Sequence, residues 1–385
     1  MSNASNCFGK NISKLGFGVM RMPRIEGTNE VDMEHTEKMI DYLMANGMNY
    51  FDSAYIYLGG KSESIFRELV VKKYPRESYY FATKFPNRDI VELVKEEGDL
   101  EKIFNESLER SGLDYFDFYL AQGLTEIRDQ QSIERGVYDF LKRKKDEGKI
   151  KHLGFSFHGT TELLKKILSE RPYMEFVQLQ LNYLDMEGDA KEHYDIVRSA
   201  NLPIIVMEPL LGGKLARLPE SVTKIFKDAD ANASPASWGL RYCGSMDGVM
   251  TVLSGMTDIE QVKENVKTFK DFKKLTDCEL EIIEKAKAEI NSIPSVPCTK
   301  CNYCDVCPVG IPIADVFAAY NKFLEDKSET AFRAVTRSIE SDKMIDKCLK
   351  CGKCEAACPQ HVKVVEIFEM IGARDYFNLR NRKDG

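Results

Sequence analysis

Eight cysteines carry the most specific spacing in the chain. Cys298, Cys301, Cys304 and Cys307 are separated by two residues each and followed by Pro308. Cys348, Cys351, Cys354 and Cys358, followed by Pro359, repeat the run with three residues in the last gap. Two-residue gaps let a turning backbone aim successive thiolates at one cuboidal iron–sulfur cluster, and in two-cluster bacterial ferredoxins the fourth cysteine of each run ligates the other cluster. The pattern therefore predicts two 4Fe-4S clusters, one on Cys298, Cys301, Cys304 and Cys358 and a second on Cys348, Cys351, Cys354 and Cys307. A pair of four-thiolate zinc sites is the competing explanation; it accounts for paired two-residue gaps but not for four closely spaced thiols ending in Cys-Pro, twice. A disulfide scaffold would spread its bonds over a small secreted domain, whereas only Cys7, Cys243 and Cys278 lie outside these runs.

A second set of reactive side chains closes short apolar runs far from the cysteines. Asp52 stands in Phe51-Asp52-Ser53-Ala54-Tyr55-Ile56-Tyr57, with Tyr57 five residues on, and Lys84 closes Phe81-Ala82-Thr83-Lys84. A tyrosine donates its proton usefully near pH 7 only where a neighbouring cation lowers its pKa, and a pocket lysine stays charged only beside a carboxylate. Asp52, Tyr57 and Lys84 make such a set. The structural alternative is that Asp52 caps a helix while Tyr57 and Lys84 lie on the surface.

These residues need elements to bring them together. Short apolar runs at Lys14 to Val19, Tyr50 to Asp52, Tyr79 to Lys84, Phe116 to Ala121, His152 to Ser156, Phe176 to Leu179, Pro203 to Glu208 and Gly248 to Leu253 read as eight strands. Helical patterns lie between them, such as Thr36 to Asn46, Leu100 to Leu113, Ile133 to Glu147 and Ile259 to Phe269. That alternation is the mark of a parallel sheet. Eight such units in about 250 residues match a closed (β/α)8 barrel, whose chemistry sits at the C-terminal strand ends. An open doubly wound sheet has the same alternation, but Leu15-Gly16-Phe17-Gly18-Val19-Met20 lacks the third glycine of a dinucleotide loop. The expected fold is thus α/β, a (β/α)8 TIM barrel followed by a small, mainly helical ferredoxin-like domain. Residues 1–275 form the barrel, 276–296 a connecting helix and linker broken at Pro294 and Pro297, and 297–385 the cluster domain. Helical runs at Ile313 to Leu324 and Glu329 to Ser338 separate the two cysteine groups. Trp238 reads as core and Lys142 to Lys145 as a solvated helix face.

Composition excludes several partners. A net charge of -7 argues against nucleic acid, which needs a dense basic face. No apolar run approaches the ~18 residues that span a bilayer, and no cleavable leader opens the chain. A cytoplasmic protein without a membrane partner is expected.

Taken together, Leu15-Gly16-Phe17-Gly18, Phe51-Asp52-Ser53-Ala54-x-x-Tyr57, Ala82-Thr83-Lys84, Asp117-Phe118-Tyr119-Leu120, Gly154-Phe155-Ser156, Gln178 to Tyr183, Glu208-Pro209-Leu210 with Gly212-Gly213, and Glu264-Asn265 resemble the aldo-keto reductases. Within them the chain is similar to the bacterial branch with a C-terminal ferredoxin-like 4Fe-4S extension. The resemblance implies a barrel that binds NAD or NADP across its strand ends. It also implies a tetrad in which Tyr57 is the proton donor, supported by Lys84 and Asp52, with Gln122 in place of the family's histidine. An amide donates a hydrogen bond but carries neither proton nor charge. His158 is either a substitute or a lining residue. Cofactor contacts carried over are Ser156, Gln178 and Asn182 near the nicotinamide, with Pro209, Leu210, Gly212, Gly255, Gln261 and Asn265 along the rest of the nucleotide. Phe157 and Met207 replace the family's usual asparagine and aromatic residue, and Gly255 and Gln261 stand where basic residues grip a 2′-phosphate.

A nicotinamide passes two electrons as hydride and a cluster passes one, so the two exchange directly only through a flavin or a radical-tolerant substrate. Three readings follow: clusters feeding a small-molecule substrate or flavin at the barrel mouth; nicotinamide chemistry with clusters serving structure or docking of a redox partner protein; or a catalytically silent barrel acting as electron carrier or nucleotide sensor.

Overall fold

The computed structural model describes residues 4–326, 332 and 338–372. They divide into two compact units, Met1–Leu210 with Ala233–Ile283, and Leu211–Asn232 with Glu284–Gly385. In the first unit a polar hairpin, β1 (Ala4–Cys7) and β2 (Lys10–Ser13), precedes eight barrel strands. These are β3 (Leu15–Gly18), β4 (Tyr50–Asp52), β5 (Tyr80–Phe85), β6 (Phe116–Leu124), β7 (Ile150–Phe157), β8 (Phe176–Gln180), β9 (Ile204–Met207) and β10 (Val249–Ser254). They pair in parallel around a closed ring in which β10 returns to β3. The eight strands read from the sequence are the eight observed, and the open-sheet alternative falls because β10 and β3 are hydrogen-bonded.

Side chains alternate faces with period two along a strand, and burial follows it. Tyr50, Ala82, Phe118, Leu120, Phe176, Ile205 and Met250 form one cluster inside the ring. Their neighbours Phe51, Phe81, Tyr119, Val177, Ile204 and Val206 join a second cluster that packs outward against the helices. The hairpin was not legible in its short polar strands. It turns through Phe8 and Gly9, both at positive φ (57° and 68°), and adds Ile12 to the inner cluster. Phe8 stacks on His152 at 4.1 Å between ring centroids, closing the N-terminal end.

Helix starts carry side-chain caps where the sequence supplies them: Asp32 accepts from His35 N–H, Thr160 from Leu163 N–H, and Asp258 from Glu260 N–H. The helix read as Ile133 to Glu147 begins at Val137, because Gly136 at φ 68° separates it from Glu126–Glu134. Lys142 and Arg143 are solvated as read, but Lys144 and Lys145 are not. Lys144 is buried and reaches Glu101 at 2.7 Å and Glu147 at 2.9 Å, while Lys145 reaches Glu175 at 2.5 Å. Trp238 is core, as read.

The second unit has its own core of Val296, Ile311, Val316, Phe317, Tyr320, Phe323, Ile345, Val362 and Phe368. Its helices include Ile313–Asp326, Lys353–Ala357 and Val364–Gly372. The run read at Glu329 to Ser338 lies, apart from Phe332 and Ser338, outside the described residues. Leu211–Asn232, which the sequence reading assigns to the barrel, groups with this unit. The reason is a close approach: a Cβ on Gly212 would stand 2.5 Å from the Thr299 carbonyl oxygen. Among the described residues no helix is long and apolar enough to cross a membrane.

Where β7 meets β8, Gly154 has no room for a side chain, since a Cβ there would fall 2.4 Å from the Phe176 carbonyl oxygen and 2.8 Å from its ring. Gly154→Ala is expected to destabilise the barrel by about 1–3 kcal/mol through overpacking, read as a lower urea midpoint; an unchanged midpoint would show that the strands separate freely.

Candidate active site and cluster-binding loops

One pleat repeat beyond the inner apolar layer, the inward positions turn polar. Tyr50 is followed at two residues by Asp52, Ala82 by Lys84, Leu120 by Gln122 and Phe176 by Gln178, all buried at the C-terminal ends of their strands. Lys84 Nζ stands 2.5 Å from Asp52 Oδ1 and donates also to the Ser53 carbonyl at 2.5 Å. The two side chains are 1% and 4% exposed, so the capping alternative fails for Asp52 and the surface alternative for Lys84, while Tyr57 is half-buried. Burial pushes the Asp52 carboxyl up and the Lys84 ammonium pulls it back. Asp52 Oδ2 is buried without a hydrogen-bond partner.

Tyr57 arrives on the loop after β4, opening a turn in which Leu58 and Gly59 are left-handed at φ 54° and 65°. Lys84 Nζ lies 4.9 Å from its ring centroid. The cation does not lower the phenol pKa as the sequence reading required. Burial, then the charges of Asp52 and Glu208, push it above its ordinary value, with Arg21 opposing. Lys84 Nζ is engaged by Asp52 and the Ser53 carbonyl, and the phenol is a weaker acid than a free tyrosine.

Gln122 sits on a bulge. β6 and β7 lose register between Ala121 and Leu124, and Gly123 absorbs the extra residue at φ 61°. Asn87 Oδ1 accepts from Gln122 N–H at 2.7 Å, and Ser156 Oγ accepts from Gly123 N–H at 2.7 Å. Gln122 Oε1 is buried and unpartnered, as is Gln178 Oε1. His158 donates its N–H to Leu124 on the far side of the bulge, at 2.9 Å.

The remaining cofactor candidates are mostly employed by their own loops. Asn182 Oδ1 accepts from the N–H groups of Leu184 and Asp185, and its Nδ2 donates to Asp185 at 2.8 Å. Gln261 Oε1 accepts from Thr257 N–H at 2.9 Å, and Asn265 Nδ2 donates to Ser254 Oγ at 3.1 Å. Pro209 and Leu210 follow β9 and Gly255 follows β10, whereas Gly212 belongs to the second unit. Phe157 packs outward, its ring edge-on to Phe155 and His193. Sequence reasoning missed Arg21 and Glu208, paired at 3.5 Å. Arg21 passes Gly255, where an added Cβ would stand 3.6 Å from its side chain. The strand-end rule applied to β3 and β9 would have found both residues.

In the second unit the two cysteine runs share one backbone course. Lys300 and Asn302 take φ 54° and 62°, and Lys350 and Gly352 take 53° and 72°, at matching places. Lys300 N–H points at Cys298 Sγ (3.5 Å) and Lys350 N–H at Cys348 Sγ (3.4 Å). Cys307, Cys348, Cys351 and Cys354 line one pocket with apolar Val309, Ile311, Leu349 and Phe368. Cys298 is within electrostatic reach of Cys301 and Cys358, and Cys304 of Cys298 and Cys301. The groupings are those of crossed ligation. Among the described residues no three His, Cys, Asp or Glu side chains converge closely enough for a single metal ion. Four thiols around one pocket are the donor set that a 4Fe-4S cluster takes. Burial raises the Cys304 thiol to about 12 and Cys354 to about 11, so iron must displace their protons.

The profile of the Aldo/keto reductase family matches residues 14–288, and that of the 4Fe-4S dicluster domain matches residues 297–362. The chain therefore belongs to the aldo/keto reductase family and is an oxidoreductase that carries a 4Fe-4S dicluster domain. It is similar to an uncharacterized oxidoreductase, YqkF, of Bacillus subtilis (strain 168), 23% identical over 71% of this chain and 92% of that protein. L-galactose dehydrogenase of Arabidopsis thaliana is 25% identical over 67% and 84% of the two chains. A solved aldo-keto reductase from Bacillus halodurans in its holo form shares the fold with a TM-score of 0.60 at 24% identity, over 74% of this chain and 95% of that one. Another, from Klebsiella pneumoniae in complex with NADPH, gives 0.59 at 19% identity over the same shares.

Asp52→Asn leaves a buried ammonium without its carboxylate and is expected to cost about 3–5 kcal/mol, measured by urea unfolding. Adding Lys84→Met should recover most of that loss; a single variant as stable as the parent would remove the ion pair from the account. For the thiols, Cys358→Ala is expected to lower anaerobically reconstituted iron by about half. Retention of full iron and sulfide would refute its place as a ligand.

Proposed function

We propose that this chain is an iron–sulfur oxidoreductase whose barrel reduces a small carbonyl substrate, with NAD or NADP as the hydride source. The observation that carries the reading is the sealed Lys84–Asp52 pair under the Tyr57 ring at the C-terminal strand ends. Asp52, Tyr57 and Lys84 brought together at the strand ends argue against a silent barrel, whether electron carrier or nucleotide sensor. When bound, the nicotinamide supplies hydride. Tyr57 Oη gives its proton to the substrate oxygen as that oxygen becomes an alkoxide; its surroundings make the phenol a weaker acid than usual, so the basicity of the developing alkoxide drives the transfer. Lys84 and Asp52 hold the charge balance below it. The Gln122 amide orients that oxygen without carrying a proton. Support for the nucleotide comes from the family itself and from relatives such as a Schizosaccharomyces pombe aldo-keto reductase whose name specifies NADP(+).

A second reading is favoured by Gln122 itself: with no protonatable group at that position, electrons delivered singly by two clusters, through a flavin or to a radical-tolerant substrate, need no histidine there. The test is anaerobic mixing of the oxidised, iron-loaded protein with NADH. The nicotinamide reading expects NADH to bind, seen by equilibrium dialysis, while the visible absorbance of the clusters persists. Bleaching on mixing would transfer the case to cluster-delivered electrons, and absence of binding would defeat the nicotinamide reading.

A further inference from the structure

On the outer side of β5, across the barrel wall from Asp52 and Lys84, lies a buried carboxyl group that the reaction above does not use. Glu63, on the short helix Ser62–Phe66, is 0% exposed. Its Oε1 accepts from Thr83 Oγ1 at 2.6 Å. Thr83 points outward because its neighbours along the strand, Ala82 and Lys84, point inward. Glu63 Oε2 is buried without a hydrogen-bond partner, and the nearest cation, Arg110 Nη1, stands 3.8 Å away. A carboxylate held this way is costly in its charged form. Burial accordingly pushes the group up to about 7, with Thr83, Ser107, Arg110 and Lys84 opposing.

The neighbours of Glu63 all belong to the turn that carries Tyr57. Ser62 Oγ accepts from Ser53 Oγ at 2.8 Å and donates to the Ala54 carbonyl at 3.1 Å, which ties the end of the turn to its start. The Ser53 carbonyl in turn receives Lys84 Nζ. Tyr55 is gripped from the helix Asp99–Ser111. Arg110 from that helix stacks on the Tyr55 ring at 4.2 Å and donates from Nη1 to the Tyr55 carbonyl at 3.4 Å. The Tyr55 hydroxyl donates to Glu106 at 2.6 Å, and Arg110 Nη2 meets the same carboxylate at 3.3 Å. A Cβ added at Gly60 would stand 3.6 Å from both Arg110 Nη1 and the Tyr55 carbonyl. The guanidinium thus braces the turn on either side of Tyr57. Its Nη1 has two acceptors within reach, the Tyr55 carbonyl and Glu63, and movement toward one lengthens the contact with the other. Of the remaining groups, Tyr119 of β6 lies within electrostatic reach of Glu63, while Arg67 is exposed and turns to the Glu109 carbonyl at 3.4 Å.

We propose that Glu63 is a positioning residue for Tyr57, acting through Arg110. The neutral carboxyl leaves Arg110 to hold the Tyr55 carbonyl and so the turn; the ionised one draws Arg110 away and loosens it. The only atom transferred is the Glu63 proton, which passes to water. The proposal rests on the reading of Tyr57 as the proton donor. Its consequence is a reaction that slows as pH rises through about 7, although Glu63 touches neither substrate nor nucleotide.

The test uses the iron-loaded full chain. In protein labelled with fluorotyrosine, the Tyr57 fluorine resonance, assigned by its loss in Tyr57→Phe, should move with a midpoint near pH 7. Glu63→Gln and Arg110→Met should each abolish that movement. With NADH and 4-nitrobenzaldehyde as probes, kcat should fall by about tenfold over the same range, the scale of a misplaced catalytic group. KM for NADH should change by less than about twofold. Glu63→Gln, which keeps an acceptor for Thr83 without the charge, should flatten the profile, whereas Glu63→Ala should depress kcat at every pH. A Tyr57 resonance that does not move, or one that still moves in Glu63→Gln, would overturn the positioning role. Movement that persists in Arg110→Met would overturn it too, because the field of a charge alone would then explain the shift. If the resonance behaves as expected but the aldehyde is reduced at no pH, the hold of Glu63 on the turn stands and the carbonyl-reduction reading fails instead.

Discussion

A closed parallel barrel has to fill its own axis, and the site lies where that filling stops. Aromatic and aliphatic side chains from alternate positions occupy the interior, with Ile12 of the hairpin added at one end. One pleat repeat further along the same strands the inward side chains are Asp52, Lys84, Gln122 and Gln178. For Asp52, Lys84 and Gln178 period-two alternation and ring closure dictate the convergence, while Gln122 lies on the bulge that Gly123 makes possible. Gly154 belongs to the same constraint, allowing β8 to approach β7 closely enough for the ring to close.

The buried ion pair sets the chemistry above it. Lys84 is bonded to Asp52 and to the Ser53 carbonyl, and burial with the charges of Asp52 and Glu208 makes Tyr57 a weaker acid than a free phenol. Arg21 and Glu208 add a second pair of opposite charges within reach of the same hydroxyl. The bulge at Gln122 and Gly123 is secured from both sides, by Asn87 and by Ser156. Ser156, Asn182, Gln261 and Asn265, which the family resemblance presents as nucleotide contacts, already have partners within the strand-end loops. Whatever they offer a cofactor is offered by atoms held in fixed orientations.

The dicluster domain solves a different problem with a repeated device. Left-handed residues two and four places after the first cysteine turn each loop around its thiols, and a backbone N–H directed at that first sulfur helps to stabilise a thiolate. The chain meets the left-handed requirement with lysine and asparagine in one loop and with lysine and glycine in the other. The fourth cysteine of each run reaches across to the other group, which ties the two loops into one small core with Phe317 and Phe368.

Spacing and periodicity by themselves determined the eight clustered thiols, the eight strands and the strand-end positions of Asp52 and Lys84, because each of these is local or follows from a fixed repeat; the crossed grouping came from the likeness to two-cluster ferredoxins and Gln122 from the family resemblance. Tertiary structure decided what depends on distant neighbours. It brought Lys84 onto Asp52, because β4 lies beside β5, and set Tyr57 where its surroundings raise rather than lower the phenol pKa. It paired Arg21 with Glu208 from the segments that follow β3 and β9, buried Lys144 against Glu101, and drew Leu211–Asn232 to the cluster unit through Gly212. It also left Leu349 bare while covering Thr299, a difference that two loops of the same spacing could not reveal, because exposure is a property of what folds over a residue and not of the residue itself.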